Sequence, residues 1–354
     1  MSGGVDSSVA AALLVEQGYD VLGMMMRLWS EETVAGGAHN RCCTPDQMAD
    51  ARRIAAQLGI PFYVLDTKDV FRNTIVEFFV DQHRQGVTPN PCMECNRQIR
   101  FRYLLQNALA LDAQYLATGH YAQVSQATDG RYQLKKSADA HKDQSYVLSV
   151  LGQEQLSHAL FPVGGYTKPE VRQIAARFGL PTASKQDSQD LCFIGDNNYR
   201  RFLTDHAPEV MVSGPIVRKN GEVVGEHGGL VNYTIGQRKG LGLSSHDPLY
   251  VIGINPQQNV LVVGTADELG QSSLTAKRVN WVSDVIPTEP FRAEVKIRYK
   301  AIPVPALVEP LPDSRMAITF DGSLRDITPG QAAVVYDGDT VLGGGVIERP
   351  IISE

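Results

Sequence analysis

The chain has 354 residues, a hydrophobic fraction of 43% and a net charge of −6 at neutral pH. That length suggests two or three domains at about 150 residues each, with enough apolar material for a sizeable core. No apolar run approaches the ~20 residues needed to span a bilayer, and no signal-peptide pattern shows, so neither a membrane-embedded nor an exported protein is expected. The five cysteines are odd in number and lack disulfide-scaffold spacing. In a chain this long, that favours a reducing compartment and thiols kept for chemistry, so a cytoplasmic location is expected. The acidic balance argues against an all-over nucleic-acid footprint and leaves room only for a local basic face.

In chain order, Asp6 to Gln17 has helical periodicity and stops at Gly18, a left-handed cap. Val21 to Met26 is a short apolar run expected as a buried strand. Thr44-Pro45 supplies a cap and first-turn proline for a helix ending near Gly59. Ile60 to Asp66 predicts a strand, Asp69 to Arg84 a helix, Asn96 to Leu111 another, and Tyr115 to Thr118 a strand. The alternation implies an α/β catalytic domain with a mostly parallel sheet. Near Asp205 to Pro215 the character changes to short strands. These are punctuated by Asn220-Gly221, Gly228-Gly229, Asp321-Gly322 and Asp337-Gly338, pairs that signal hairpins. With a second break near Gly270 to Ser273, the expected division is a catalytic domain over 1–206, a central β domain over 207–272 and a C-terminal β-barrel domain over 273–354.

The opening Met1-Ser2-Gly3-Gly4-Val5-Asp6-Ser7-Ser8 runs directly into the first helix. Paired glycines let backbone N–H groups turn inward, and a helix N-terminus adds partial positive charge, which together suit a pyrophosphate. The serines add hydroxyls, and Asp6 can order the loop or hold Mg²⁺. No Walker lysine follows, so the loop differs from that of kinases and GTPases. The run has the character of loops that adenylate a carbonyl and release pyrophosphate. Such a loop normally follows a sheet's first strand; only Met1 precedes it, so a strand upstream of this sequence is expected.

Cys92 and Cys95 lie in Thr88-Pro89-Asn90-Pro91-Cys92-Met93-Glu94-Cys95, just before a predicted helix whose dipole would favour a thiolate. Cys192 lies in Asp190-Leu191-Cys192-Phe193-Ile194-Gly195, and Cys42-Cys43 falls in another loop. Inert buried cysteines, a structural zinc site and redox chemistry all remain open on spacing alone; a second CxxC half, which zinc would want, is missing.

Taken in order, SGGVDSS, TPNPCMECN, Ala117-Thr118-Gly119-His120-Tyr121, Lys142-Asp143-Gln144-Ser145-Tyr146, DLCFIG, Thr234 to Gly240 (TIGQRKG), Arg298-Tyr299 and Pro329-Gly330-Gln331 form a specific set. Over essentially the whole chain it resembles the tRNA-specific 2-thiouridylase family. The resemblance implies ATP- and Mg²⁺-dependent 2-thiolation of a tRNA wobble uridine, with a persulfide on Cys192, Cys95 as its partner nucleophile, and a cysteine desulfurase or sulfur-relay protein as donor. It implies ATP contacts at Met1 to Ser8, Met26 and Gly119. It also implies contacts with tRNA at Asn90, Pro91, Cys92, His120, Lys142, Asp143, Gln144, Arg298, Tyr299 and Gln331. Well-known members carry Asp where this chain has Cys92. That departure raises an alternative, a [4Fe-4S] cluster on Cys92, Cys95 and Cys192.

Phe291 to Lys300 alternates with period two, placing Arg292, Lys296, Arg298 and Lys300 on one strand face with Glu294, a basic stripe suited to phosphates. Two rival functions need fewer of these residues. An amidotransferase-type ligase or argininosuccinate-type synthase would not use Cys95 and Cys192, and a non-catalytic tRNA-binding protein would not use the loop.

Overall fold

The computed structural model describes residues 1–31, 44–185, 191–325 and 327–349; Cys42, Cys43 and Asp190 lie outside them. The first helix, α1, is Val5–Glu16, and Gly18 behind it has φ +83°. Strand β1 (Gly23–Arg27) follows, then helix α2 (Pro45–Leu58). Thr44 caps α2 in a reciprocal box with Gln47, and Gly59 ends it in the left-handed conformation at φ +70°. Strand β2 (Phe62–Asp66) pairs in parallel with β1.

The helical stretch from Lys68 to Arg84 contains a wider turn at Arg72–Val76. The next begins at Pro91, five residues before the predicted start at Asn96, because Asn90 caps it by accepting from the Met93 amide at 3.2 Å. It widens over Cys95–Leu104 and ends with Leu105–Leu109.

Strand β3 (Leu116–Ala117) pairs in parallel with β6 (Ala159–Leu160), so the parallel sheet consists of two two-stranded pieces. Between them in sequence lies an antiparallel hairpin that the sequence pattern did not suggest, β4 (Gln123–Gln126) and β5 (Tyr132–Lys135). Helices Lys168–Arg177 and Tyr199–His206 complete this region.

Strands β7 (Gly214–Arg218), β8 (Val223–His227), β9 (Tyr250–Asn255) and β10 (Val260–Gly264) form a four-stranded sheet in the order β8-β7-β10-β9. Asn220-Gly221 turns the β7–β8 hairpin as expected, with Gly221 at φ +86°. Gly228-Gly229 instead leads into a short helical turn, Leu230–Asn232.

The remaining strands are β11 (Gln271–Trp281), β12 (Phe291–Lys296), β13 (Val304–Leu311), β14 (Arg315–Leu324), β15 (Ala332–Asp337) and β16 (Thr340–Ile347). They close into an antiparallel barrel through the β11–β16 pairing, and the β4–β5 hairpin joins its wall at β16. Asp337-Gly338 turns β15 into β16, whereas Asp321-Gly322 lies inside β14, at the break in register against β11 between the Ser273–Thr319 and Gln271–Leu324 pairs. The basic strand ends at Lys296; Arg298 and Lys300 sit in the turn that follows.

The barrel core gathers Val295, Val308, Met316, Ile318 and Val335. A separate core combines Phe101, Leu105, Tyr146 and Leu148 with barrel residues Ala332, Val334, Tyr336 and Val341.

The Thr44 box satisfies two donors at the start of α2. Thr44→Ala is expected to destabilise the chain by about 1 kcal/mol, lowering the melting temperature by roughly 2–4 °C in a thermal scan.

Candidate functional site

The first turn of α1 is ordered by its own serines and glycines. Gly4 caps the helix in an extended conformation, and Ser8 Oγ donates to its carbonyl at 2.7 Å. Ser7 Oγ donates to the same carbonyl at 3.3 Å and accepts from the Ser2 amide at 3.1 Å. Gly3 has φ +69°, and a Cβ there would lie 2.4 Å from the Gln47 carbonyl oxygen, so only glycine fits between loop and α2. Behind β3, Gly119 presses on the same turn: its Cβ would lie 2.7 Å from Asp6 C and Ser7 N. Gly119 and Met26 both stand at the C-terminal ends of parallel strands, the side on which open α/β sheets take ligands.

Two lysines that sequence reasoning missed surround this turn. Lys168 Nζ donates to both carboxylate oxygens of Asp6, at 2.7 and 2.9 Å, and Tyr121 Oη donates to one of them at 2.7 Å. Lys185 Nζ donates to the Gly3 carbonyl at 2.9 Å and pairs with Asp50 at 3.0 Å. Lys168 is the first residue of its helix and is buried. A cation at the positive end of a helix dipole is locally unfavourable, and that conflict was the readable signal. The loop thus has cations nearby without a Walker lysine. Asp6 spends its carboxylate on Lys168 and Tyr121 in this arrangement.

The three described cysteines differ in exposure. Cys92 is exposed, Cys95 buried and Cys192 half-buried. Cys95 lies past the first turn of its helix rather than at its start. Its side chain belongs to an apolar cluster with Phe79, Phe193 and Phe202, and Cys192 packs against that same cluster. Among the described residues, no three His, Cys, Asp or Glu side chains are grouped to hold a metal ion. Cys92, Cys95 and Cys192 are thus not gathered as three ligands in this arrangement.

The residues expected at the RNA occupy varied settings. Pro91 is buried, and Asn90 serves as helix cap. His120 is buried against Thr118, whose hydroxyl lies 2.7 Å from Nδ1; burial, with the nearby Arg100 charge, lowers its pKa to about 3. Asp143 is buried and accepts from the Ser137 and Ser145 amides and the Ser145 hydroxyl. Gln144 accepts from the Tyr121 amide, and Gln331 Nε2 donates to the carbonyls of Thr88 and Pro89 at 3.0 and 3.3 Å. Lys142 is half-buried, and Arg298 is exposed. Tyr299 is half-buried; burial first, then the charges of Asp143 and Cys92, push its phenol up. Lys296 holds its ammonium 5.9 and 5.8 Å from the ring centres of Tyr146 and Tyr299, and burial holds it below the usual lysine range. Cys92, Tyr299, Lys296 and Asp143 therefore form one electrostatic neighbourhood.

Residues 1–196 match the family described as the tRNA methyl transferase HUP domain, 200–265 the tRNA methyl transferase PRC-barrel domain, and 271–347 the aminomethyltransferase beta-barrel domain. The chain is 49% identical to a tRNA-specific 2-thiouridylase MnmA of Symbiobacterium thermophilum, over 99% of this chain and 91% of that protein. It is 48% identical to one from Chloroflexus aurantiacus, over 100% of this chain and 98% of that protein. A third, from Geotalea uraniireducens, is 47% identical over 99% and 94%. No helix among the described residues is long and apolar enough to cross a membrane.

The His120 environment makes stability depend on pH. The unfolded chain takes up a proton near pH 6.5 and the folded one only near 3, so stability falls as pH drops through that window, by up to about 1.4 kcal/mol per unit. Urea titrations of wild type and His120→Gln at pH 7, 5.5 and 4.5 should show the gap between them narrowing as pH falls. A pH-independent gap would mean that His120 is not held neutral.

Proposed function

The chain belongs to the tRNA-specific 2-thiouridylase family, and on that premise we propose that it uses ATP to thiolate the wobble uridine of tRNA. The observation that carries this reading is that Cys95 and Cys192, far apart in sequence, pack on one apolar cluster within a chain matched end to end by thiouridylases. Methyl transfer, the reaction in the family description's wording, needs neither that pair of thiols nor a pyrophosphate cradle.

ATP would sit with its phosphates against the Ser2–Ser8 loop, where the first-turn amides of α1 favour negative charge and Lys168 and Lys185, paired with Asp6 and Asp50, lie close by. Mg²⁺ accompanying the nucleotide would neutralise phosphate oxygens. Gly119 and Met26 bound the crevice on the strand side. The uridine O2 attacks the α-phosphorus and pyrophosphate departs, so the inert carbonyl oxygen becomes part of a leaving group.

A cysteine desulfurase or sulfur-relay protein supplies sulfur as a persulfide on Cys192. The Cys95 thiolate attacks the Cys192 sulfur, forming a disulfide and releasing the terminal sulfur as hydrosulfide. Hydrosulfide adds at C2, AMP leaves with the former O2, and a proton is lost. An external dithiol then reduces the disulfide with two electrons. The apolar cluster that buries Cys95 and packs against Cys192 limits water at the transfer. The exposed Cys92, near Tyr299, would meet the base in this reading.

Cys95→Ser and Cys192→Ser are each expected to abolish 2-thiouridine formation, by at least about a thousandfold, while tRNA affinity changes less than about threefold. Mass spectrometry of nucleosides from tRNA incubated with protein, ATP, reductant and a persulfide donor reads the first, and filter binding the second. Normal thiolation by either variant would remove that cysteine from the mechanism.

A further inference from the structure

Glu94 stands between Cys92 and Cys95, and its side chain is 9% exposed. A carboxylate so placed needs partners. Arg97 Nη1 donates to it at 3.2 Å and Gln98 Nε2 at 3.2 Å, both from its own helix. The third partner comes from elsewhere. Arg278 of the barrel strand β11, 184 residues away, places Nη2 at 3.1 Å from each carboxylate oxygen.

Arg278 adopts φ +53°, a left-handed conformation unusual for a non-glycine residue, at the break in register between Lys277 and Asn280. A bulge re-aims side chains, and here one is turned from the barrel wall toward the cysteine helix. Two residues on, Asn280 Nδ2 donates to the carbonyls of Ser149 and Leu151, both at 2.9 Å, so the same strand is moored to the α/β region. The other end of the cysteine segment is also held by the barrel. The Thr88 amide donates to the Pro329 carbonyl at 3.2 Å, and Gln331 donates to the Thr88 and Pro89 carbonyls. Gly330 fits against Val87 only because it lacks a Cβ, which would lie 2.2 Å from Val87 Cγ1.

We propose that Arg278 is a positioning residue for the thiol chemistry: through Glu94 it fixes the helical turn that presents Cys92 and buries Cys95. This rests on the reading of Cys95 as a reacting thiol. Its assigned role is to hold Glu94 rather than to meet substrate or sulfur itself. It acts by keeping Glu94 neutralised from the barrel side, so that the turn stays in one position relative to Cys192. Without it, Glu94 keeps only partners that move with it.

The test uses the full chain with Arg278→Gln, Arg278→Lys, Glu94→Gln and the double variant R278Q/E94Q. Four quantities are read: kcat and KM for thiolation, tRNA affinity against salt, melting temperature, and the iodoacetamide alkylation rate of each cysteine by peptide mass spectrometry. Arg278→Gln should lower kcat about ten- to a hundredfold while KM for tRNA stays within about twofold, the signature of lost positioning. Cys95 should alkylate at least about fivefold faster as its cover loosens. Arg278→Lys should recover part of kcat, and the double variant should be no worse than the poorer single one.

Two results would overturn the proposal. A fall of about 0.9 in the log–log salt slope, with weakened affinity, would make Arg278 a phosphate contact. A lower melting temperature with unchanged kcat and unchanged alkylation would make the ion pair merely structural. If wild type forms no 2-thiouridine, the functional reading fails, whereas the alkylation rates still decide whether Arg278 governs the cysteine turn.

Discussion

Every residue of β15 from Ala332 to Tyr336 is buried, because alternate side chains of that strand serve different cores. Ala333 and Val335 point into the barrel, while Ala332, Val334 and Tyr336 join Phe101, Tyr146 and Leu148 of the α/β region. Tyr146 makes the junction specific: its hydroxyl donates to the Ala332 carbonyl at 3.0 Å and accepts from the Ala332 amide at 3.2 Å. Fully burying a valine or aromatic side chain contributes about 1.5–3 kcal/mol. Detaching the barrel would therefore cost several kcal/mol from this strand alone, a large share of the ~5–15 kcal/mol by which native chains are stable. The barrel and the cysteine-bearing helix behave as one body, and the β4–β5 hairpin ties them again through β16.

That junction gives an acidic chain a coherent way to handle RNA. The net charge of −6 opposes diffuse attraction to phosphates, so recognition has to be local. Exposed Arg298 and Lys300 follow β12, and Lys296 at its end is packed between Tyr146 and Tyr299. The same electrostatic neighbourhood includes Cys92. On the proposed function, the charges that would meet a tRNA backbone and the Cys92 thiol are thus mounted on one junction. Arg292, at the other end of β12, is paired with Asp321.

Short-range signals in the sequence were legible. Thr44, Pro45 and Gly59 bound α2 as their types dictate, and the Asn220-Gly221 and Asp337-Gly338 turns fall where a hairpin needs them. Long-range pairings were not. Nothing in residues 123–135 alone announces that they join a barrel made of residues beyond 270. Asp6 reads as a loop acid until Lys168, 162 residues on, is seen to hold it. Asp321-Gly322 misled because the strand runs on through it to Leu324, which pairs with Gln271 past a break in register. The cysteine motif was found by resemblance. The grip of Arg278 on Glu94 required the fold, since its signal is a left-handed backbone and not a residue pattern.

The proposed chemistry rests on turning a uridine carbonyl oxygen into a leaving group, with a nucleotide held at the first turn of α1 near Lys168 and Lys185. The most direct measurement follows that oxygen. Transfer RNA carrying heavy oxygen at C2 of the wobble uridine is incubated with the protein, ATP and a persulfide donor, and the AMP is analysed by mass spectrometry. The account predicts one heavy oxygen in the AMP phosphate for each 2-thiouridine formed. Thiolated tRNA accompanied by unlabelled AMP would contradict it, because sulfur would then have replaced an oxygen that ATP never activated.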